Sequence, residues 1–162
     1  MARDFFLKLD PKVEGESLDD KHKGEIDIES YSWGVTNAGS AGQGGGSGAG
    51  KASAQDLHMT KKIDKSSPRL MLACATGEHF KTGLLTIRKA GGKQEEYFKV
   101  ALEDILVSSY QTGASSGSDE LPTDQFTLNI GKVKFSYSPQ KVDGSLGAAD
   151  EKGYDFTANK KM

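Results

Sequence analysis

Apolar and polar residues alternate along most of this chain, the period of a strand that buries one face. Phe5, Leu7 and Leu9 form a first short run, Leu57, Met59 and Ile63 a second, and Leu85 with Ile87 a third. Three longer segments change apolar phase partway. One passes from Ile26 and Ile28 to Tyr31, Trp33 and Val35. Another passes from Phe98, Val100 and Leu102 to Ile105 and Val107, and the last from Phe126, Leu128 and Ile130 to Val133, Phe135 and Tyr137. A one-residue shift predicts a β-bulge, which lets a strand curl as a barrel requires. Strands that bury one face in the barrel and the other against a helix or a second subunit would read the same way. Gly131 falls at the last shift, where a bulge glycine belongs. Trp33 and Phe135 are expected in the core, and Tyr154 with Phe156 predicts a final strand that closes the sheet.

A single helix interrupts the strands, over residues 66–77. Ser67 is placed to cap its N-terminus, Pro68 suits the first helical position and Gly77 is a natural stop. Apart from Arg69 the segment is almost wholly apolar, so it should plug an end or flank of the barrel, with Met71 and Cys74 as packing residues. The fold class is therefore all-β dominated: a small β-barrel of antiparallel strands with one flanking α-helix. At 162 residues the chain suits a single domain over residues 1–162, burying about 70% of the surface its unfolded form exposes.

Charge and composition remove several classes of function. A net charge of −2 and a pI near 5.9 give no basic field for nucleic acid. The start lacks the apolar stretch of a cleaved signal peptide, and no later segment has the length of a membrane span, so synthesis in the cytoplasm without membrane insertion is expected. The one cysteine, Cys74, rules out an internal disulfide.

Catalytic and cofactor patterns are incomplete. Gly45 to Lys51 nearly spells a phosphate-binding loop, but Ala52 stands where a hydroxyl must hold magnesium, and the alternation that follows predicts a strand where that motif needs a helix. Gly113 to Gly117 spells G-x-S-x-G around Ser115, yet no apolar helical stretch follows to complete a nucleophile elbow, and a surface loop over 112–123 explains the serine. His22, His58 and His79 come from separate segments with no metal-ligand spacing and read as solvated or edge histidines. No catalytic residue, metal ligand or cofactor is assigned. The alternatives are a monomeric barrel that binds a small ligand, against which the frequent lysines and acids along the strands argue, and a hydrolase built on Ser115.

An all-β unit without an active site must still account for its strand edges, and self-assembly does so. Head-to-tail contacts that close make a ring, and rings with flat faces can stack. Residues 38–50 hold seven glycines, an extended loop that could reach across such a seam through Gly44, Gly45, Gly46, Ser47 and Gly48.

The strings DFFLKLD, EIDIESYSWG, GKASAQDLHMTKKIDKSSPRLMLACATGEHF, LTIRKAGG, LEDILVSSYQTG and TLNIGKVKFSYSPQK resemble the haemolysin co-regulated (Hcp) proteins of the bacterial type VI secretion apparatus, nearly end to end. The resemblance implies a small barrel with a flanking helix that forms six-membered rings. Such rings stack into the inner tube of a contractile injection device, capped by a spike protein. It also implies export as the tube fires and a ring lumen that shelters small effector proteins. Tyr31, Ser32, Trp33 and Gly34 match the family's aromatic-Ser-Trp-Gly stretch, which places Ser32 toward the lumen. Some members carry an additional C-terminal toxin domain. This chain ends just after its last predicted strand and is expected to carry cargo.

Overall fold

The computed structural model describes residues 3–39, 50–89 and 93–162. Its elements follow in the order β1 (Arg3–Asp10), β2 (Ile26–Ile28), β3 (Ser30–Ser32), β4 (Val35–Asn37), β5 (Ala52–Ala54), β6 (Leu57–Lys62), α1 (Ser66–Thr76), β7 (His79–Lys89), β8 (Glu96–Gly113), β9 (Thr123–Tyr137), β10 (Asp150–Asp155) and β11 (Lys160–Lys161). All pairings are antiparallel, and the class is the expected one: mostly strand with one helix. Alternation works as the sequence implied. In β1, Leu7 and Leu9 enter the core while Lys8 and Asp10 face water.

The sheet rolls up without closing as one unbroken ladder. Its continuous path runs β11-β10-β9-β8-β7-β1-β2, with β6 pairing both β9 and β3. The seam is crossed by the chain itself at Glu29. Residues before it pair with β1, residues after it pair with β6, and the Glu29 N–H donates to the Thr60 carbonyl at 2.8 Å. The phase change expected as a bulge after Ile28 is thus a change of partner strand.

The other two phase changes are one feature. Asp104 has φ of 55°, a left-handed conformation, and faces Gly131 on the neighbouring strand. Register is the same on both sides of this pair, so no residue is inserted. Both strands turn over together: Val100 and Leu102 give way to Ile105 and Val107, while Ile130 gives way to Val133. The register shifts that do occur fall between Val107 and Ser109 and between Ile87 and Arg88.

Helix α1 begins and ends where predicted, but its N-terminal cap is a different residue. Gly77, at φ 69°, caps it and its N–H reaches the Ala73 carbonyl. Ser67 lies inside the helix and Pro68 is its third residue, so neither holds the place expected of it. Asp64 makes the cap, its Oδ1 accepting from the Ser66 N–H at 2.8 Å while its own N–H donates to Ser67 Oγ at 3.1 Å, a reciprocal box. Leu70 and Ala73 bury against the barrel and Cys74 packs beside them. Met71 does not pack; it is half exposed, as is Leu72. A helix lying on a flank buries only one stripe, however apolar its remaining positions are.

Beyond the barrel, the far ends of β8 and β9 continue with β10 into a wing. Tyr154 sits at this outer edge, followed by the short β11, so the last strands extend the sheet and do not close it.

Candidate assembly surface

The wing exposes what the barrel buries. Phe135 shares a strand face with Val133, but among the described residues only the rings of Phe98, at 5.1 Å, and Trp33 pack against it, and it is 38% exposed. It is therefore not a core residue. Trp33 is only partly buried and meets Phe135 edge-on at 5.7 Å and Phe156 at 6.3 Å. Its Nε1–H has no acceptor among the described residues. With Val35, Ala52 and Tyr154 these side chains line an apolar surface cleft of about 310 Å³. A second cleft, of about 500 Å³, has Lys8, Asp10, Glu103, Lys132 and Lys134 among its lining residues.

One wall of the apolar cleft is the base of a two-stranded ribbon. Among the described residues, strands β4 and β5 pair only with each other, Val35 opposite Ala54 and Asn37 opposite Ala52. Their side chains are exposed or half-exposed, and Asn37 Nδ2 donates to the Gly50 carbonyl at 2.8 Å at the end of the ribbon away from the body. Gly44, Gly45, Gly46, Ser47 and Gly48 belong to the segment this ribbon carries and lie outside the described residues.

Ser32 is exposed and in register with His58. Its strand neighbour Tyr31 turns inward and packs edge-on against Phe5 at 5.6 Å, where burial raises the phenol pKa. Around Ser32 the outer face is short and polar. Ser30 Oγ lies 2.5 Å from Thr60 Oγ1, Thr127 Oγ1 contacts both Ser108 and Ser109, and Asp56 accepts from Ser108 and Asn129.

Ser115 sits in an exposed turn after β8, with no histidine bonded to it among the described residues. A serine–lysine contact exists elsewhere: Lys61 Nζ donates to Ser67 Oγ at 2.9 Å. Its chemistry is structural. Its Nζ also donates to Asp64 at 2.8 Å and Asp124 at 2.9 Å, so its N–H groups are taken up by partners within the fold. Burial would raise the Asp124 pKa, but hydrogen bonds from Ser67 and Lys61 outweigh it and bring it below the usual carboxylate value. No group of three or more His, Cys, Asp or Glu among the described residues could hold a metal ion, and no described helix is long and apolar enough to cross a membrane.

His58 and His79 are exposed, as read from the sequence, whereas His22 is buried. It stacks on Phe6 at 4.3 Å between Glu25 and Glu96. Neither this cluster nor the Lys61 cluster was visible in sequence, because each is completed by a distant partner, Glu96 for His22 and Asp124 for Lys61, and charged residues carry no periodic signal of burial. The cleft had a partial signal in Tyr154 and Phe156.

Comparison with known proteins follows the whole chain. The family model described as "Type VI secretion system effector, Hcp" matches residues 6–137. Protein hcp1 of Pseudomonas aeruginosa is 51% identical over 161 residues, covering 98% of each chain. A solved structure described as a type six secretion system protein superposes with a TM-score of 0.93 at 33% identity, covering 99% of this chain and 100% of that one. Hcp1 from Salmonella typhimurium superposes with a TM-score of 0.81 at 34% identity over the full length of both chains.

Proposed function

Since this chain belongs to the Hcp family of type VI secretion proteins, we propose that it is a non-catalytic structural subunit that closes with five copies of itself into a ring. Rings stack into the inner tube of the apparatus beneath its spike protein, leave the cell as the tube fires, and carry small effector proteins in the lumen. The observation that carries this reading is the surface left unfilled in one chain: an apolar cleft beside a projecting ribbon. Contiguous exposed apolar surface of this kind marks a protein interface, and a head-to-tail contact places a ribbon on one side of each seam and a receiving surface on the other. The glycine run at 38–50, with Gly44 to Gly48 at its centre, crosses that seam.

The lumen wall includes Ser32. Its exposure and the short hydroxyl and amide side chains around it suit a surface that holds varied cargo through many weak polar contacts. Sedimentation and negative-stain microscopy of the purified chain test the ring directly: closed six-fold particles are expected, and a protein that stays monomeric at high micromolar concentration would overturn it. Ser32→Gln should leave rings intact and lower the amount of effector co-purified and exported. Undiminished carriage would remove Ser32 from the wall.

A further inference from the structure

Residues 11–25 form a strap that joins β1 to β2 and lies over the outer face of β1 and β7, where Phe6 and Arg88 are buried beneath it. The strap folds back on itself, Gly15 N–H donating to the Gly24 carbonyl at 2.8 Å and Gly24 N–H to the Ser17 carbonyl at 2.8 Å. Two side chains fasten it to the sheet and a third to the start of the helix. Asp19 pairs with Arg88, Glu16 accepts from the Lys65 N–H at 3.0 Å, and His22 bridges two carboxylates.

The His22 bridge is chemically selective. Nδ1 lies 3.0 Å from Glu25 Oε2 and Nε2 lies 2.6 Å from Glu96 Oε1. A neutral imidazole carries one N–H, so one ring lone pair would face a carboxylate oxygen at hydrogen-bond distance; only imidazolium donates to both. The surrounding charges agree. From the strap come Glu25 and Asp19, whose carbonyl accepts the His22 N–H at 3.2 Å; from β8 come Glu96 and Lys99, 3.4 Å apart. Arg88 of β7 covers the Phe6 ring at 4.8 Å and is held by Asp19 and by Asp4 of β1, and Asp27 of β2 stands in register with Phe6. Carboxylates outnumber cations here, and both cations are already paired.

We propose that the strap is a proton-dependent latch, docked while His22 bridges Glu25 and Glu96 as imidazolium and loosened when the ring gives up its second proton. Above the range in which a free imidazole titrates, the docked strap binds up to one more proton than the released strap, so docking weakens as pH rises, by at most about tenfold per pH unit; below that range both states carry the proton and the dependence vanishes. Glu96 stays ionised through the mildly acid range: burial would raise its pKa, but the hydrogen bonds from His22 and Lys99 hold it below the usual value. Opening bares Phe6 and Arg88.

Amide hydrogen exchange across residues 13–25, at about pH 6 and about pH 8 and corrected for intrinsic chemistry, reads the latch directly. In the intact chain the opening constant should rise severalfold, with a ceiling of about 25-fold over that interval when the released ring titrates as a free imidazole, at about 6.5. In Glu96→Gln the carboxamide NH₂ can donate to a neutral ring, so docking no longer needs the extra proton and opening should not depend on pH. His22→Gln should likewise lose the dependence. Unchanged protection of the β7–β8 ladder shows that each variant is folded. A flat profile in the intact chain, or a rise that persists in folded Glu96→Gln, would overturn the latch.

Discussion

Lys61 follows strand parity against its own chemistry. Leu57, Met59 and Lys61 share one face of β6, so the lysine is carried inward and is fully buried. The fold accommodates it because the start of α1 and β9 bring Asp64, Ser67 and Asp124 within bonding reach. Lys61→Met should therefore cost about 3–5 kcal/mol in urea unfolding, chiefly because Asp124 is left buried without its cation. Lys61→Met with Asp124→Leu should recover most of that loss. Asp19 gives a different signature, in acid. The hydrogen bond from Arg88 lowers its pKa from 3.8 to about 2. A depressed folded pKa means that the Asp19–Arg88 contribution is complete above about pH 4 and is lost as pH falls toward about 2. Thermal melts should show this as a steeper acid limb in the native chain than in Asp19→Asn, the two curves converging near the bottom of that window. Neither residue was legible in the sequence, where a lysine or aspartate looks the same whether solvated or paired across the fold.

Among the elements, the paired kink of β8 and β9 is the clearest case of a signal read correctly and explained wrongly. The phase changes after Leu102 and Ile130 were visible as periodicity, but a bulge would have shifted register, and none is shifted there. Two strands that turn over at facing residues keep every ladder bond between their arms and still rotate both apolar faces. Gly131 is required because a Cβ would stand 2.9 Å from Asp104 Cβ. Gly131→Ala should destabilise by about 1–3 kcal/mol through that overlap. Asp104→Gly removes the opposing Cβ and relieves the left-handed backbone, so adding it should offset much of the Gly131→Ala cost. A denaturant double-mutant cycle measures the coupling, and additive effects would show that the two kinks are independent. The helix offers the converse lesson. Gly77 announced its end because a left-handed cap favours glycine, whereas the capping residue at its start was placed three residues too late, since Asp64 and Ser67 can each cap and only the path of β6 into α1 selects between them.

For the whole molecule, the wing of β8, β9 and β10 and the ribbon of β4 and β5 leave apolar surface uncovered, and assembly is where that surface should matter. Val35 is half exposed at the ribbon base and supports no core packing. Val35→Asp should keep the melting temperature within a few degrees of the native chain and markedly reduce the assembled mass in sedimentation. A native mass would remove the cleft from the interface. What the sequence determined by itself was whatever depends on near neighbours: the strand period, the single helix, its glycine stop, and the family strings. Tertiary structure alone decided which alternating faces find a second wall. Phe135 and Leu128 sit on the same strand in the same kind of alternation, yet one is exposed and the other fully buried. Burial is a property of what lies opposite a side chain, and what lies opposite is set by the rolling of the sheet over contacts far apart in the chain.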